Sequence, residues 1–343
     1  MKEAYAQYAL KTLETLINIP SPSGYTDHAA EFVMNELLAL GYAPKMTNKG
    51  GVTVELGGEG EGLLLACHID TLGGMVSTID GSGKLKIAPL GFLSANNIES
   101  VNVTVHTRSG AVYEGTCQMD MPSWHINSNY DTTPRSFDVM QIVLDEDVSS
   151  EEEVRALGID TGDIICFDPN FRVTKNGYIK SRHLDNKLSA AILLALAKAV
   201  KEEGITLPRK VYMHFSVYEE VGHGASGFCP ADVAEFLAVD MACVGAHFKA
   251  TERMAAICAK DIEGPSSYRM VSALSAVAKD LGLDCPIEVF ANYASDADVA
   301  VRAAGDVRHC TVGAGVFASH GYERSHIDGL KNAFDLVKGS VLR

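Results

Sequence analysis

The chain opens with apolar residues at helical spacing. In "EAYAQYALKTLETLI" they recur at three- and four-residue intervals, predicting a helix over 3–18 that the turn cluster "IPSPSG" closes. A second helix, capped by Thr26 or Asp27, is expected to run to about Leu40 and stop at Gly41. Short apolar runs follow, with strands expected at 52–56 and 62–67. The run "GLLLACHID" is continuous, which suits a strand buried on both faces of a parallel sheet. From 73 to 169 the pattern alternates between Gly-containing turns, with one capped helix at "SSEEEVRALG" (149–158), so an all-β module is expected there. Strand–helix alternation then returns. Helices are expected at 184–203, 266–281, 296–304 and 328–341, and strands at 211–217, 236–240, 286–291 and 307–313. A βα pattern on both sides of a β-rich block predicts an α/β domain interrupted by an insertion.

Composition narrows the function classes. With 343 residues, 47% hydrophobic and 21% charged, the chain reads as globular and large enough for two domains. A formal net charge of −15 and no Lys/Arg cluster argue against nucleic-acid binding, which needs a basic face for phosphates. The longest apolar stretch, "LSAAILLALAKAV" (188–200), is too short to span a bilayer and carries Lys198, so no membrane partner is expected. The N-terminus lacks the apolar core of a signal peptide. Eight cysteines are scattered without a CxxC pair, mostly inside apolar runs, pointing to a reducing cytoplasm rather than a disulfide framework.

Candidate chemistry gathers at predicted strand ends, where open α/β sheets place their sites. "ACHID" sets His68 and Asp70 two residues apart, on one face of the strand end. They are either a metal-bound histidine with its carboxylate partner or a hydrogen-bonded turn pair. Asp185 in "SRHLDNKLSAA" stands where an acid caps a helix or holds a cation. Asp240 ends the run "FLAVD", where burial demands a cation or hydrogen-bond donors. "FSVYEEVG" adds adjacent Glu219 and Glu220, and "GVFASHGYERSH" adds His320 and His326. Together these are oxygen and imidazole donors without thiolates, a set that suits zinc, cobalt or manganese.

The stretches "IPSPSG", "HIDTLG", "LDNK", "EEVG", "AVDMA" and "ASHGYERSH", in this order, resemble the M42 family of metallo-aminopeptidases along the whole chain. The resemblance implies a zinc-exopeptidase-like fold, a mixed sheet flanked by helices in a three-layer αβα arrangement. Residues 1–72 and 170–343 would form the catalytic domain, and 73–169 an inserted β-barrel or PDZ-like oligomerisation domain. It implies two divalent ions per subunit, with zinc first and cobalt or manganese as alternatives. By the family's pattern, His68 and Asp240 would hold one ion, Glu220 and His320 the other, and Asp185 both. Asp70 would orient His68, and Glu219 would be the general base. The activity implied is release of N-terminal residues from peptide substrates by a two-metal-activated water. A cytoplasmic homo-oligomer, from dimer to dodecamer, is expected.

Three departures from the pattern bear on substrate preference: Thr71 where an acid is common, Lys187 where arginine is common, and a final loop without "RYxHS". In that loop the spacing from the preceding strand favours His320 as the ligand, with His326 committed to the start of the last helix. The same metal chemistry would also serve an amidohydrolase or deacylase acting on a small N-acyl substrate. An endoglucanase is disfavoured, because two sequence neighbours are badly placed to flank a glycosidic bond and Trp124 is the single tryptophan.

Overall fold

The computed structural model describes residues 1–343. It divides into two compact units, one of residues 1–70 and 170–343, the other of residues 71–169.

The first unit is built on an eleven-stranded sheet. Its centre is four parallel strands, in spatial order Val211–Ser216, Gly62–His68, Val233–Val244 and Arg308–Phe317. Every residue of Gly62–His68 is buried, which accounts for its unbroken apolar run. Alternate side chains separate onto two faces. Leu63, Leu65 and Cys67 join the larger core with Leu13, Leu188, Ile192 and Phe334. Leu64 and Ala66 pack with Phe236, Ala238, Ala297 and Ala300. The sheet is therefore sandwiched between two apolar layers, the three-layer arrangement expected. The helix Leu184–Glu202 is buried nearly all round, so its sequence carries almost no polar face. Glu3–Ile17 buries Tyr5, Ala6, Ala9, Leu13, Leu16 and Ile17, a single stripe at helical spacing. No helix is long and apolar enough to cross a membrane.

Several elements differ from the sequence reading. Val233–Val244 is twelve residues long, so Asp240 lies inside the strand and not at its end. Pairing with Gly62–His68 stops at Ala238, however, while pairing with Arg308–Phe317 continues to Val244. Asp240 thus lies past the last paired residue, level with His68 at the end of its shorter neighbour. The strands Ala255–Lys260 and Glu323–His326 were not expected; the latter bridges Arg308–Phe317 and Tyr178–Ser181. The insertion begins after Asp70, two residues before the expected boundary.

The second unit is a closed barrel of six strands in the order Gly73–Ile79, Leu85–Leu90, Met140–Leu144, Val112–Met119, Asn102–His106 and Ile164–Phe167. Val76, Ile87, Val105, Cys117, Ile142 and Ile165 fill it. Its helix is Glu151–Ala156, started by Ser150, whose side chain accepts the Glu153 N–H at 3.2 Å.

Candidate metal centre

Five of the seven expected site residues stand at or just beyond the carboxyl ends of strands. His68 is the last residue of Gly62–His68, and Asp70 lies two beyond it. Val211–Ser216 ends before the glutamates, so Glu219 and Glu220 sit in the turn that follows rather than on the strand itself. The turn reverses at Tyr218, whose φ of 69° lies in the left-handed region. His320 lies in the loop after Arg308–Phe317, with a φ of 63°. Asp185 comes from the start of Leu184–Glu202, at a point where the backbone is not yet helical, and its peptide bond to Asn186 is cis.

These side chains converge. Ligand atoms of His68, Asp185 and Asp240 lie within 4.8 Å of one another, and all three residues are buried. His68 Nε2 lies 3.2 Å from Asp185 Oδ1, 3.6 Å from Glu219 Oε2 and 4.0 Å from Asp240 Oδ2. His320 Nε2 lies 3.6 Å from both Asp185 Oδ2 and Glu220 Oε2. Asp185 therefore turns one oxygen to each histidine. His326 is elsewhere: its Nδ1 accepts the Asp328 N–H at 2.9 Å and its Nε2 lies 2.8 Å from the Asn176 carbonyl. Nδ1 thus starts the last helix and Nε2 is taken up by the turn at Asn176.

Asp70 has a different set of contacts from the one expected. His68 Nδ1 meets the main-chain carbonyl of Asp70 at 3.0 Å, with the carboxylate farther off at 3.5 Å. That contact places a ring proton on Nδ1 and leaves Nε2 as the ring atom that faces the acids. The Asp70 carboxylate, fully buried, instead accepts the Ser23 hydroxyl at 2.6 Å and the backbone N–H groups of Glu219 and Glu220 at 3.2 and 3.3 Å. It ties the glutamate turn to the end of the histidine strand.

Two buried acids went unassigned in the sequence. Asp296 accepts the Ala225 N–H at 2.6 Å and the Ser216 hydroxyl, so it clamps both ends of the segment that carries the glutamates. Gly224 fits against it because a Cβ there would lie 2.4 Å from Asp296 Oδ1. Glu323 accepts the backbone N–H groups of Asp185 and His320. The signal for Asp296 was "SDAD" at a helix start, which reads as ordinary capping; Ser295 does form a capping box there.

The electrostatics are those of crowded anions. Burial, and then the Asp185 charge, push Glu220 well above the usual carboxylate range and Asp240 up to about 7. Burial does the same to Glu219, with Asp240, Asp296 and Asp185 adding to it against the opposing pull of His68. Burial would lower His68, but the Glu219 charge and the contacts to Asp185 and Asp70 outweigh it, and its pKa is raised. Burial would raise Asp185, but His320 and His68 on either side hold it below the usual range. Two imidazoles cannot neutralise this many acids. A divalent cation fits the donor set, since oxygen and imidazole ligands converge with no thiolate among them.

The family profile described as M42 glutamyl aminopeptidase matches residues 50–336. A Bacillus subtilis (strain 168) protein named "Putative aminopeptidase YhfE" is 34% identical over 330 residues, covering 96% of this chain and 95% of that one. Among solved structures, a TET aminopeptidase from the marine sediment archaeon Thaumarchaeota archaeon SCGC AB-539-E09 superimposes with a TM-score of 0.89 at 21% identity, covering 98% of this chain and 97% of that chain. The Pyrococcus horikoshii TET1 peptidase, described as assembling into a tetrahedron or a large octahedral shell, gives 0.86 at 22% identity over 98% and 99% of the two chains.

Proposed function

The chain belongs to the M42 family of glutamyl aminopeptidases, and from that premise we propose that it removes N-terminal residues from peptides at a site for two divalent ions. The observation that carries the reading is the placing of Asp185, with one carboxylate oxygen toward His68 and the other toward His320. His68 and Asp240 would hold one ion, Glu220 and His320 the other, and Asp185 would serve both. Such ions lower the pKa of water, polarise the scissile carbonyl and hold the oxygens that gain charge in the transition state.

The protein's own groups supply the rest. Glu219 is the acid beside His68 with no assigned ligand role, and it is the general base of this reading. It accepts a proton from the attacking water and returns it to the departing amine, so each turnover leaves it ionised. Asp70 keeps Glu219 and Glu220 in register by holding both main-chain amides, which lets adjacent residues serve two purposes. The surplus of acids also favours a substrate whose reacting end carries a free ammonium group.

The separately folded barrel of residues 71–169 is the natural seat of subunit contacts in a homo-oligomer. Phe92, Trp124 and Ile126 are among its most exposed apolar side chains. Deleting 73–169 should leave a smaller species by light scattering; a deletion that folds at the parental size would contradict this. The activity itself is tested with a panel of aminoacyl-nitroanilides and zinc, cobalt or manganese, beside N-acyl amino acids and a soluble β-glucan. Release from the first group alone is expected. Turnover only of an N-acyl or glucan substrate would overturn the reading.

A further inference from the structure

Two candidate ligands, Asp185 and His320, stand where the backbone is irregular. Asp185 lies in the non-helical start of Leu184–Glu202, preceded by His183 at a φ of 69°. His320 lies in a loop where it and Ala318 both have positive φ, 63° and 58°. Covered main-chain amides need acceptors, because one left without costs about 1–3 kcal/mol. One side chain accepts from both. Glu323 Oε1 takes the His320 N–H at 3.0 Å, and Glu323 Oε2 takes the Asp185 N–H at 3.0 Å.

The scaffold around Glu323 suits this task. It is 2% exposed and is the first residue of Glu323–His326. That strand is antiparallel to Tyr178–Ser181, with Ser181 opposite Glu323, and it meets Arg308–Phe317 through Arg324 opposite Phe317. The first neighbour leads into Asp185 and the second into His320. Glu323 therefore stands where the two ligand segments meet. On the far side of those segments, Asp185 Oδ2 and His320 Nε2 face each other across 3.6 Å.

We infer that Glu323 is a positioning residue for the second ion: it sets the spacing between Asp185 and His320 by binding both main chains, and touches neither substrate nor ion. This rests on the two-ion reading above. A carboxylate is required because both of its oxygens accept. Glutamine keeps the shape but offers one acceptor and one donor, so whichever way it turns, one N–H faces another. Partners that stand behind metal ligands typically change metal affinity by about 10–100-fold when mutated.

The test is stepwise zinc binding by the full-length chain after chelation, measured by competition with a chromophoric chelator, alongside the melting temperature of each ion-free protein. In wild type two steps are expected. Glu323→Gln should weaken the step that uses His320 by about 10–100-fold, weaken the other less, through Asp185 alone, and leave the ion-free melting temperature close to wild type. Glu323→Asp keeps both acceptors on a shorter arm and should fall between the two; it also serves if the glutamine variant does not fold. Two unchanged steps in either variant would sink the inference and leave the two-ion reading intact. Equal weakening of both steps with a lower ion-free melting temperature would make Glu323 merely structural, and that also overturns it. A wild-type chain that takes up no second ion would instead remove the reading beneath it.

Discussion

Stripping the ions with a chelator and then raising the pH should destabilise the protein relative to its zinc-loaded form. The cause is the set of site carboxyls whose pKa is raised by burial and by one another. A carboxyl titrating at 3.8 when unfolded and at about 7 when folded, as Asp240 does, holds a proton in the folded chain that the unfolded chain has already released. The folded form then binds more protons, so unfolding becomes easier as pH climbs through that window. Three pH units at about 1.36 kcal/mol each give ~4 kcal/mol for Asp240 alone. Glu219 and Glu220 act in the same direction. So does His68, whose raised pKa gives stability that is full below its unfolded value of 6.5 and is lost as pH rises through the folded one. Asp185 is held low, so its contribution is lost only when pH falls below the unfolded value of 3.8, outside the window. Asp298, raised to about 7 by burial and by Asp261, is not a site residue and gives both forms the same slope. The quantity to read is therefore the difference between loaded and stripped protein. Urea unfolding at about pH 5, 6, 7 and 8 should show that gap widening by several kcal/mol, a large part of a net stability of about 5–15 kcal/mol. Asp240→Asn should flatten the slope of the stripped protein and raise its stability at pH 8. A gap that is constant or narrows with pH would refute the reasoning.

Three further outcomes are expected. Glu219→Gln should keep both ions by mass spectrometry and lose about 10²–10⁴-fold in turnover, whereas Glu220→Ala should lose one ion; equal ion loss in the two would reverse the roles. His320→Ala should lose one ion and nearly all activity, while His326→Ala should keep both ions and give up its contact with the Asn176 carbonyl and its cap at Asp328, the cap alone costing about 0.5–2 kcal/mol by thermal unfolding. Gly313→Ala should cost about 1–3 kcal/mol and weaken an ion-binding step, because its Cβ would lie 1.9 Å from the Asp240 carbonyl oxygen on the paired strand; unchanged stability and affinity would show that the two strands separate freely.

What the sequence made legible was the buried sheet and the acids at its edge. Fully buried strands read as apolar runs, and a charged residue interrupting such a run has few reasons to be there. That logic found His68, Asp240 and the glutamate pair. It failed where burial is achieved by hydrogen bonding. Glu323–His326 is as buried as its neighbours, with Ser325 fully covered and bonded to the Gly315 carbonyl, yet "ERSH" carries no apolar signal. It failed too for Asp296, which looks like an ordinary helix-start acid until the fold brings Ser216 and Ala225 onto it. Asp70 was read as the partner of its near neighbour in sequence. The carboxylate in fact reaches residues about 150 positions away, and no local pattern encodes that distance.

The same failures expose how the site is held. The groups proposed to face the ions come mainly from loops and strand ends, which have no ladder of their own to fix them. Three buried acids stand behind them, each accepting from backbone amides or hydroxyls of segments remote in sequence: Asp70 for the glutamate turn and Ser23, Asp296 for the same segment's two ends, Glu323 for Asp185 and His320. Carboxylates suit this task because each offers two acceptor oxygens to amides that would otherwise be orphaned. The consequence is that anchoring adds negative charge to a centre that is already anionic. Cations then stabilise the anchors as well as the ligands, so ion affinity and the order of these loops form one linked equilibrium. A variant that loosens an anchor should therefore be read first in ion binding, and only through it in catalysis.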